Sequence, residues 1–181
     1  MVGLCITSLV FICEIFVVSG RVCQPTSPDI IGPYYFPKPP KLQQFCTGDP
    51  ELYRLKNLIV HGHVYKQDCL TPIPNVRMEI WQADHAGNYS MSADCRGHFK
   101  TDRHGYYEIS TIHPGKYLTD PRNILFRPSH LHFKVFGKLG HKSLVTQMYF
   151  AGDSNLGKND SCQIIMLSKE KQCEKIKKEK E

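Results

Sequence analysis

The sequence lacks the features that mark several common protein classes. After residue 18 it contains no apolar run that approaches the ~20 residues needed to cross a membrane as a helix. Its cysteines include no close Cys-x-x-Cys pair, which is the usual spacing in structural zinc sites. It shows no long helical period, no internal repeat and no motif typical of RNA or DNA binding. These absences favour a small domain built from strands and turns.

The one strongly apolar stretch lies at the start of the chain. Residues 2–18 are mostly apolar and lead into Val18-Ser19-Gly20, small residues that suit signal-peptidase cleavage. No Lys or Arg precedes the stretch and Glu14 interrupts it, so a membrane anchor is the alternative. A carboxylate inside a bilayer is costly, which disfavours the anchor. We therefore expect a signal peptide over residues 1–20, a secreted protein, and no stable membrane association after cleavage.

Cysteine usage agrees with secretion. Six cysteines follow the leader, namely Cys23, Cys46, Cys69, Cys95, Cys162 and Cys173. An even number of cysteines in a secreted chain predicts disulfide bonds. Many pairings are compatible with this count, and the sequence does not choose among them. We expect three disulfides and no free thiol in the mature protein.

The net charge of +6 could indicate a nucleic-acid partner, but its distribution argues against one. In residues 169–181 six lysines are mixed with four glutamates, so this tail carries a net charge of only +2. A mixed run of this kind is typical of a solvated surface. We therefore expect a charged tail over residues 169–181, one domain over residues 21–168, and no nucleic-acid partner.

Short alternating runs are separated by turns that are rich in Gly, Pro and Asp. The runs that predict strands are residues 58–65, 76–81, 106–110, 130–136 and 145–150. Several short strands with turn signals between them are typical of an all-β sandwich, which is the fold class that we predict.

Residues 21–50 include seven prolines, which fix φ and remove backbone donors. This segment should therefore lie extended over the core.

A pair of histidines, His130 and His132, lies in one of the predicted strands. Side chains alternate between the two faces of a strand, so both imidazoles should project from one face and Leu131 and Phe133 from the other. Both imidazoles can then reach one metal ion. Arg127 places a permanent cation beside the pair.

A second pair with the same spacing, His61 and His63, is not dismissed by its periodicity. The other histidines are scattered in predicted turns, where surface histidines are common. No Asp or Glu adjoins His130 or His132 in the pattern of a facial triad. Spacing alone therefore leaves open which pair binds a metal and which residues complete the site.

Seven short motifs occur in an order that identifies a family. They are Gly32-Pro33-Tyr34-Tyr35; Leu58…Val60…Gly62…Val64; Trp81…Asp84…Gly87…Tyr89; Thr101-Asp102…Gly105-Tyr106; Thr111-Ile112…Pro114-Gly115…Tyr117; Arg127-Pro128…His130…His132-Phe133; and Thr146-Gln147…Tyr149-Phe150…Gly152-Asp153. Each motif is weak by itself, but all seven in order are a specific signal. From residue 32 to residue 153 the chain resembles the intradiol ring-cleavage dioxygenases, the family of catechol 1,2-dioxygenase and protocatechuate 3,4-dioxygenase.

The resemblance implies a set of site residues, position by position. The iron ligands would be Tyr89, Tyr117, His130 and His132. The resemblance makes His61 and His63 neighbours of a structural glycine, so they would not be ligands. The catalytic residues would be Arg127 and Tyr117, and the substrate-binding residues would be Gln147, Pro33 and Tyr34.

The resemblance also implies a non-haem iron(III) cofactor and a reaction. Tyrosine ionises near pH ~10, so two phenolate ligands need a strongly polarising ion, and a hard ferric ion suits anionic oxygen donors. The expected reaction opens a catechol ring between its two hydroxylated carbons with O2 and gives a cis,cis-muconate-type diacid. The expected partners are a small catechol or polyphenol and O2. Two alternatives stay open, a secreted β-sandwich that binds phenolics without catalysis and a zinc or copper protein that uses the same histidines.

Overall fold

The structure, a computed structural model, describes residues 23, 25–42, 45–46, 57–90, 94–120, 122, 125–137 and 142–157. The expected leader, the expected tail, Cys162 and Cys173 lie outside these residues. Eight strands are described: β1 Asn57–His63, β2 Arg77–Gln82, β3 Arg96–Lys100, β4 Tyr106–Ile112, β5 Tyr117–Asp120, β6 Leu125–Arg127, β7 His130–Val135 and β8 Leu144–Tyr149. The prediction of an all-β fold is confirmed, and β3, β5 and β6 are strands that the sequence did not predict.

Two antiparallel sheets form the sandwich, and a hairpin of β5 and β6 lies beside them. One sheet pairs β1 with β4, and the other has the strand order β3-β2-β7-β8. Their facing side chains form an apolar core, which consists of Phe45, Val60, Val76, Met78, Ile80, Ile109, Leu131 and Phe133. Phe45 comes from the proline-rich segment, so the end of that segment reaches the core. Within the described residues, no helix is long and apolar enough to span a membrane.

The opposite face of the four-stranded sheet, which we call the outer face, carries polar and aromatic side chains. Because residues alternate along each strand, Ile80 and Phe133 pair toward the core, whereas Trp81 and His132 pair on the outer face. On the other side of β7, Gln147 of β8 lies opposite His132. The prediction that His130 and His132 share one face is therefore confirmed.

The proline-rich residues 25–42, which we call the strap, cross the outer face from one edge strand to the other. At β8 the backbone N–H of Asp29 donates to the carbonyl of Val145 at 2.9 Å. At β3 the backbone N–H of His98 donates to the carbonyl of Pro40, also at 2.9 Å. The segment that was expected to lie over the core thus covers mainly the outer face.

Two disulfides fasten the chain on either side of the strap. Cys23 is bonded to Cys69, and Cys46 is bonded to Cys95 at the start of β3. Cys46 and Cys95 are buried together with Ile112. These are two of the three disulfides that we predicted, and the remaining two cysteines fall outside the described residues.

The loop after β2, residues 83–90, is held against the start of β5 by close backbone packing. The carboxylate of Asp84 accepts from the backbone N–H groups of Ala86 at 2.8 Å and Asn88 at 2.9 Å, which closes the loop. The backbone N–H of Gly115 donates to the carbonyl of Asp84 at 2.7 Å. A Cβ on Gly115 would lie 2.4 Å from the backbone N of Gly87, so glycine alone allows this approach.

Removal of the buried disulfide, by Cys46→Ala together with Cys95→Ala, should lower the free energy of unfolding by about 2–4 kcal/mol, because the crosslink constrains the unfolded chain. The matched control is Cys23→Ala together with Cys69→Ala, since the two bridges span similar separations of 49 and 46 residues. The first pair should cost more, because its sulfurs are also packed in the interior. Urea unfolding measures both losses, and a larger loss for the Cys23 pair would contradict this expectation.

Gly115→Ala should destabilise the protein by about 1–3 kcal/mol, the range for overpacking, because its Cβ would meet backbone atoms that cannot rotate away. It should also weaken the near-ultraviolet circular dichroism of the aromatic side chains next to the loop. Gly152→Ala is the control, since its φ of 84° is left-handed but nothing lies within 4 Å of an added Cβ. The control should lose stability without a change in that spectrum, and equal spectral changes in both variants would refute the packing argument.

Candidate metal centre

Three donor atoms converge on the outer face. Nε2 of His130, Nε2 of His132 and the hydroxyl oxygen of Tyr89 lie 3.1 Å from one another, and we call them the donor triangle. The two histidines come from β7, and Tyr89 comes from the loop that Asp84 closes. Separations of this size allow one ion to contact all three atoms at bond lengths of about 2.1 Å.

The protonation of His130 is set by its neighbours. Its Nδ1 lies 2.6 Å from the carbonyl oxygen of Pro128, which can only accept, so Nδ1 carries the proton and Nε2 keeps its lone pair. Burial lowers the pKa of His130 to about 4, with a further contribution from the nearby Arg127 charge. Burial also holds the pKa of His132 well below its usual range. Both imidazoles are therefore neutral donors near pH 7.

Tyr89 needs a cation if it is to ionise in this environment. Burial raises the pKa of its hydroxyl above the ordinary value, and the charge of Arg127 offsets this only in part. A phenol has only one proton to donate, yet two imidazole nitrogens lie 3.1 Å from its oxygen. A metal ion would accept all three donors and would favour the phenolate. The residues of the donor triangle therefore fit a metal ion.

Tyr117 belongs to an aromatic group beside the triangle. The ring of Tyr34 stacks on that of Tyr89 with centroids 4.4 Å apart and planes 8° from parallel. The ring of Tyr117 stands edge-on to both, at 5.2 Å from Tyr34 and 5.7 Å from Tyr89. Burial and a hydrogen bond to Tyr34 raise the pKa of Tyr117. The four predicted ligands thus comprise three triangle members and one close neighbour.

Arg127 is buried at the end of β6 and is held by a polar network. Its guanidinium donates to the hydroxyl of Tyr149 at 2.6 Å and to the side-chain oxygen of Gln147 at 3.3 Å. Tyr149 in turn donates to Asp29 at 2.8 Å, and the amide of Gln147 donates to the carbonyl of Ile30 at 2.8 Å. The network therefore links the predicted catalytic arginine and the predicted pocket glutamine to the strap.

The strap passes directly over His132. Gly32 has a left-handed φ of 73°, and a Cβ there would lie 3.3 Å from Cε1 of His132. Pro33 is exposed and Tyr34 is half-buried immediately after it. The two predicted pocket residues of the strap thus directly follow the glycine that packs against His132.

The second histidine pair lies elsewhere. His61 and His63 are exposed on β1, in the other sheet, and the ring of His63 contacts that of Tyr106 at 5.2 Å. They are not part of the donor triangle, as the resemblance implied.

Arg96 is a residue of the site that the sequence reasoning missed. It donates to the carbonyl of Tyr34 at 3.0 Å and to the carbonyl of Ser90 at 2.6 Å, so it joins the strap to the loop that carries Tyr89. The alternation of Arg96, His98 and Lys100 with Gly97 and Phe99 could have revealed strand β3 and the direction of this side chain.

Comparison with known proteins identifies relatives of this chain. A sequence profile of the family described as Dioxygenase matches residues 30–180. The protocatechuate 3,4-dioxygenase beta chain of Burkholderia cepacia is 36% identical over an alignment of 109 residues, with 54% of this chain and 46% of the relative covered. The crystal structure of 3-chlorocatechol 1,2-dioxygenase from Rhodococcus opacus has a TM-score of 0.67 at 32% identity, over 75% of this chain and 60% of that one.

A further solved structure is the dioxygenase domain of a dioxygenase carbohydrate-binding protein fusion from Streptomyces sp. SirexAA-E. It has a TM-score of 0.61 at 32% identity, over 73% of this chain and 79% of that one. The chain spans about half the length of the Burkholderia relative. Because the profile covers most of the chain and the relatives are intradiol catechol and protocatechuate enzymes, the resemblance is confirmed. The chain belongs to the dioxygenase family, in its intradiol ring-cleaving branch.

Proposed function

We propose that the protein is a non-haem iron(III) dioxygenase that opens catechol-type rings between their two hydroxylated carbons with O2. The observation that carries the proposal is the donor triangle, in which one phenol and two neutral imidazoles converge beside the buried Arg127. The alternative of a binding module without catalysis is less favoured, since binding alone would not require three metal-binding donors to converge near a buried arginine. Zinc or copper in the same site is distinguished by metal analysis.

Tyr89, His130 and His132 would hold the iron, and Tyr117 would be the fourth ligand from its adjacent position. Phenolate oxygen suits a hard trivalent ion, and imidazole is tolerated by it. Bound by these residues, iron(III) would supply Lewis-acid chemistry, which would make a catechol-type substrate reactive toward O2.

The side chains around the triangle would manage protons and charge. Tyr117 would accept a proton from the incoming catechol. Its hydroxyl, displaced by the catechol, would then be held by the hydrogen bond between Tyr117 and Tyr34. Arg127 would stabilise negative charge that develops on the substrate, as donors of an oxyanion hole do. Gln147 and Tyr149 would hold the guanidinium in position through their bonds to it.

We place the protein outside the cell, where its substrate would be a polyphenol or simple catechol. The two disulfides among the described residues support this placement, since disulfides persist in oxidising compartments. The apolar leader of residues 2–18 supports it as well.

The ring-opening reaction is tested by incubating the iron-loaded protein with catechol or 4-methylcatechol under labelled O2, without a reductant. Mass spectrometry should find a cis,cis-muconate-type diacid that carries both atoms of O2, apart from some exchange of the second atom with water. His132→Ala serves as the inactive control, because it removes one donor of the triangle. A semialdehyde from cleavage outside the diol, or a quinone, would overturn the assignment.

The metal assignment predicts about one iron(III) per chain and a visible phenolate-to-iron charge-transfer band. Tyr89→Phe should weaken that band, because it removes the phenolate oxygen and keeps the ring that stacks on Tyr34. Tyr35→Phe is the matched control, since its hydroxyl donates to Glu79 at 2.8 Å and takes no part in the triangle. Iron analysis and the absorption spectrum provide the readout. A colourless wild-type protein that is active with zinc would rule the assignment out.

A further inference from the structure

His130 and His132 share one strand and one face, but different interactions orient them. Nδ1 of His130 bonds to the Pro128 carbonyl at 2.6 Å, which fixes the plane of its ring. Nδ1 of His132 is buried and has no hydrogen-bond partner among the described residues. Metal-binding histidines usually donate their second N–H to a fixed acceptor. On the Nδ1 side, where His130 has a hydrogen bond to hold its ring, His132 must therefore rely on packing.

The packing partner is the indole of Trp81. Trp81 lies directly opposite His132 in the register of β2 and β7. The two rings are 6° from parallel with centroids 4.7 Å apart, the geometry of an offset stack. The strap also lies close to this ring, since a Cβ on Gly32 would lie 3.3 Å from Cε1 of His132. A tilt of the imidazole would thus disrupt its stack on the indole.

Trp81 is itself held firmly. It is 2% exposed, and the ring of Tyr35 from the strap packs against it at 5.0 Å and 54°. The indole therefore offers a fixed plane, which a flexible side chain would not.

We propose that Trp81 is a positioning residue for His132, which sets the plane of the imidazole so that Nε2 points into the donor triangle. The inference rests on the proposed function insofar as it takes His132 to be a metal ligand. The indole face of Trp81 would orient His132, as the Pro128 carbonyl orients His130. Trp81 would touch neither substrate nor metal, so its effect should be seen in how tightly the metal is held.

The test follows loss of iron from the loaded full-length protein to an excess of chelator, read from decay of the visible band. Trp81→Met, which fills the space without a ring, should lose iron on the order of 10-fold faster than wild type. Trp81→Phe, which restores an aromatic face, should recover most of that loss. The band should also shift in Trp81→Met, because a tilted imidazole changes the ligand field at the metal.

Met78→Ala is the matched control, because Met78 is equally buried on the same strand but faces the core. It should lower thermal stability and leave iron retention and the band near wild type. If Met78→Ala and Trp81→Met release iron equally fast, Trp81 is merely structural and the proposal fails. If His132→Ala retains iron as wild type does, the ligand assignment fails instead, so the two failures are distinguishable.

Should Trp81→Met not fold, Trp81→Leu takes its place, because leucine also lacks a ring and is smaller. Its band should shift and its iron should be released faster than that of Trp81→Phe. Equal iron release and equal band positions in Trp81→Leu and Trp81→Phe would overturn the proposal.

Discussion

The pairing of β2 with β7 is the constraint on which both the apolar core and the candidate metal centre depend. In this register Ile80 lies beside Phe133 in the core, and Trp81 lies beside His132 on the outer face. A slip of one residue exchanges the two faces of a strand, so it would turn the imidazoles into the apolar layer. The burial of the core residues therefore also fixes where the donor atoms of the candidate metal centre point.

Burial under the strap determines which side chains of the site carry a charge. It keeps both imidazoles uncharged and disfavours an isolated phenolate at Tyr89, while Arg127 adds a fixed positive charge. A metal cation and a guanidinium repel each other in such a place unless anionic groups lie between them. In the proposed iron site, tyrosine oxygens would supply part of that negative charge, and a doubly deprotonated catechol would supply the rest. The proposed site would thus favour substrates that bring two ionisable hydroxyls.

Local patterns in the sequence sufficed for the sandwich and for the shared face of His130 and His132, because strand alternation directly determines which side chains share a face. The choice of this pair over His61 and His63 needed the family motifs. Strands β5 and β6 are only four and three residues long, too short to show a period, and they were missed. The tyrosines of the site come from a loop and a short hairpin, so family motifs alone could identify them. The roles of Arg96 and Trp81 depend on contacts with chain segments far away in sequence, which no local pattern reports.

The path of the strap has a consequence for the behaviour of the protein in solution. β3 and β8 are the two edges of the four-stranded sheet, and unpaired edge strands are templates for joining another chain and for aggregation. The strap bonds to His98 on one edge and to Val145 on the other, so part of each edge is already paired within the molecule. Because proline has no backbone N–H, the strap itself has few hydrogen-bond donors with which another chain could pair. The strap, which covers the candidate metal centre, therefore also disfavours edge-to-edge association of the sheet with another chain.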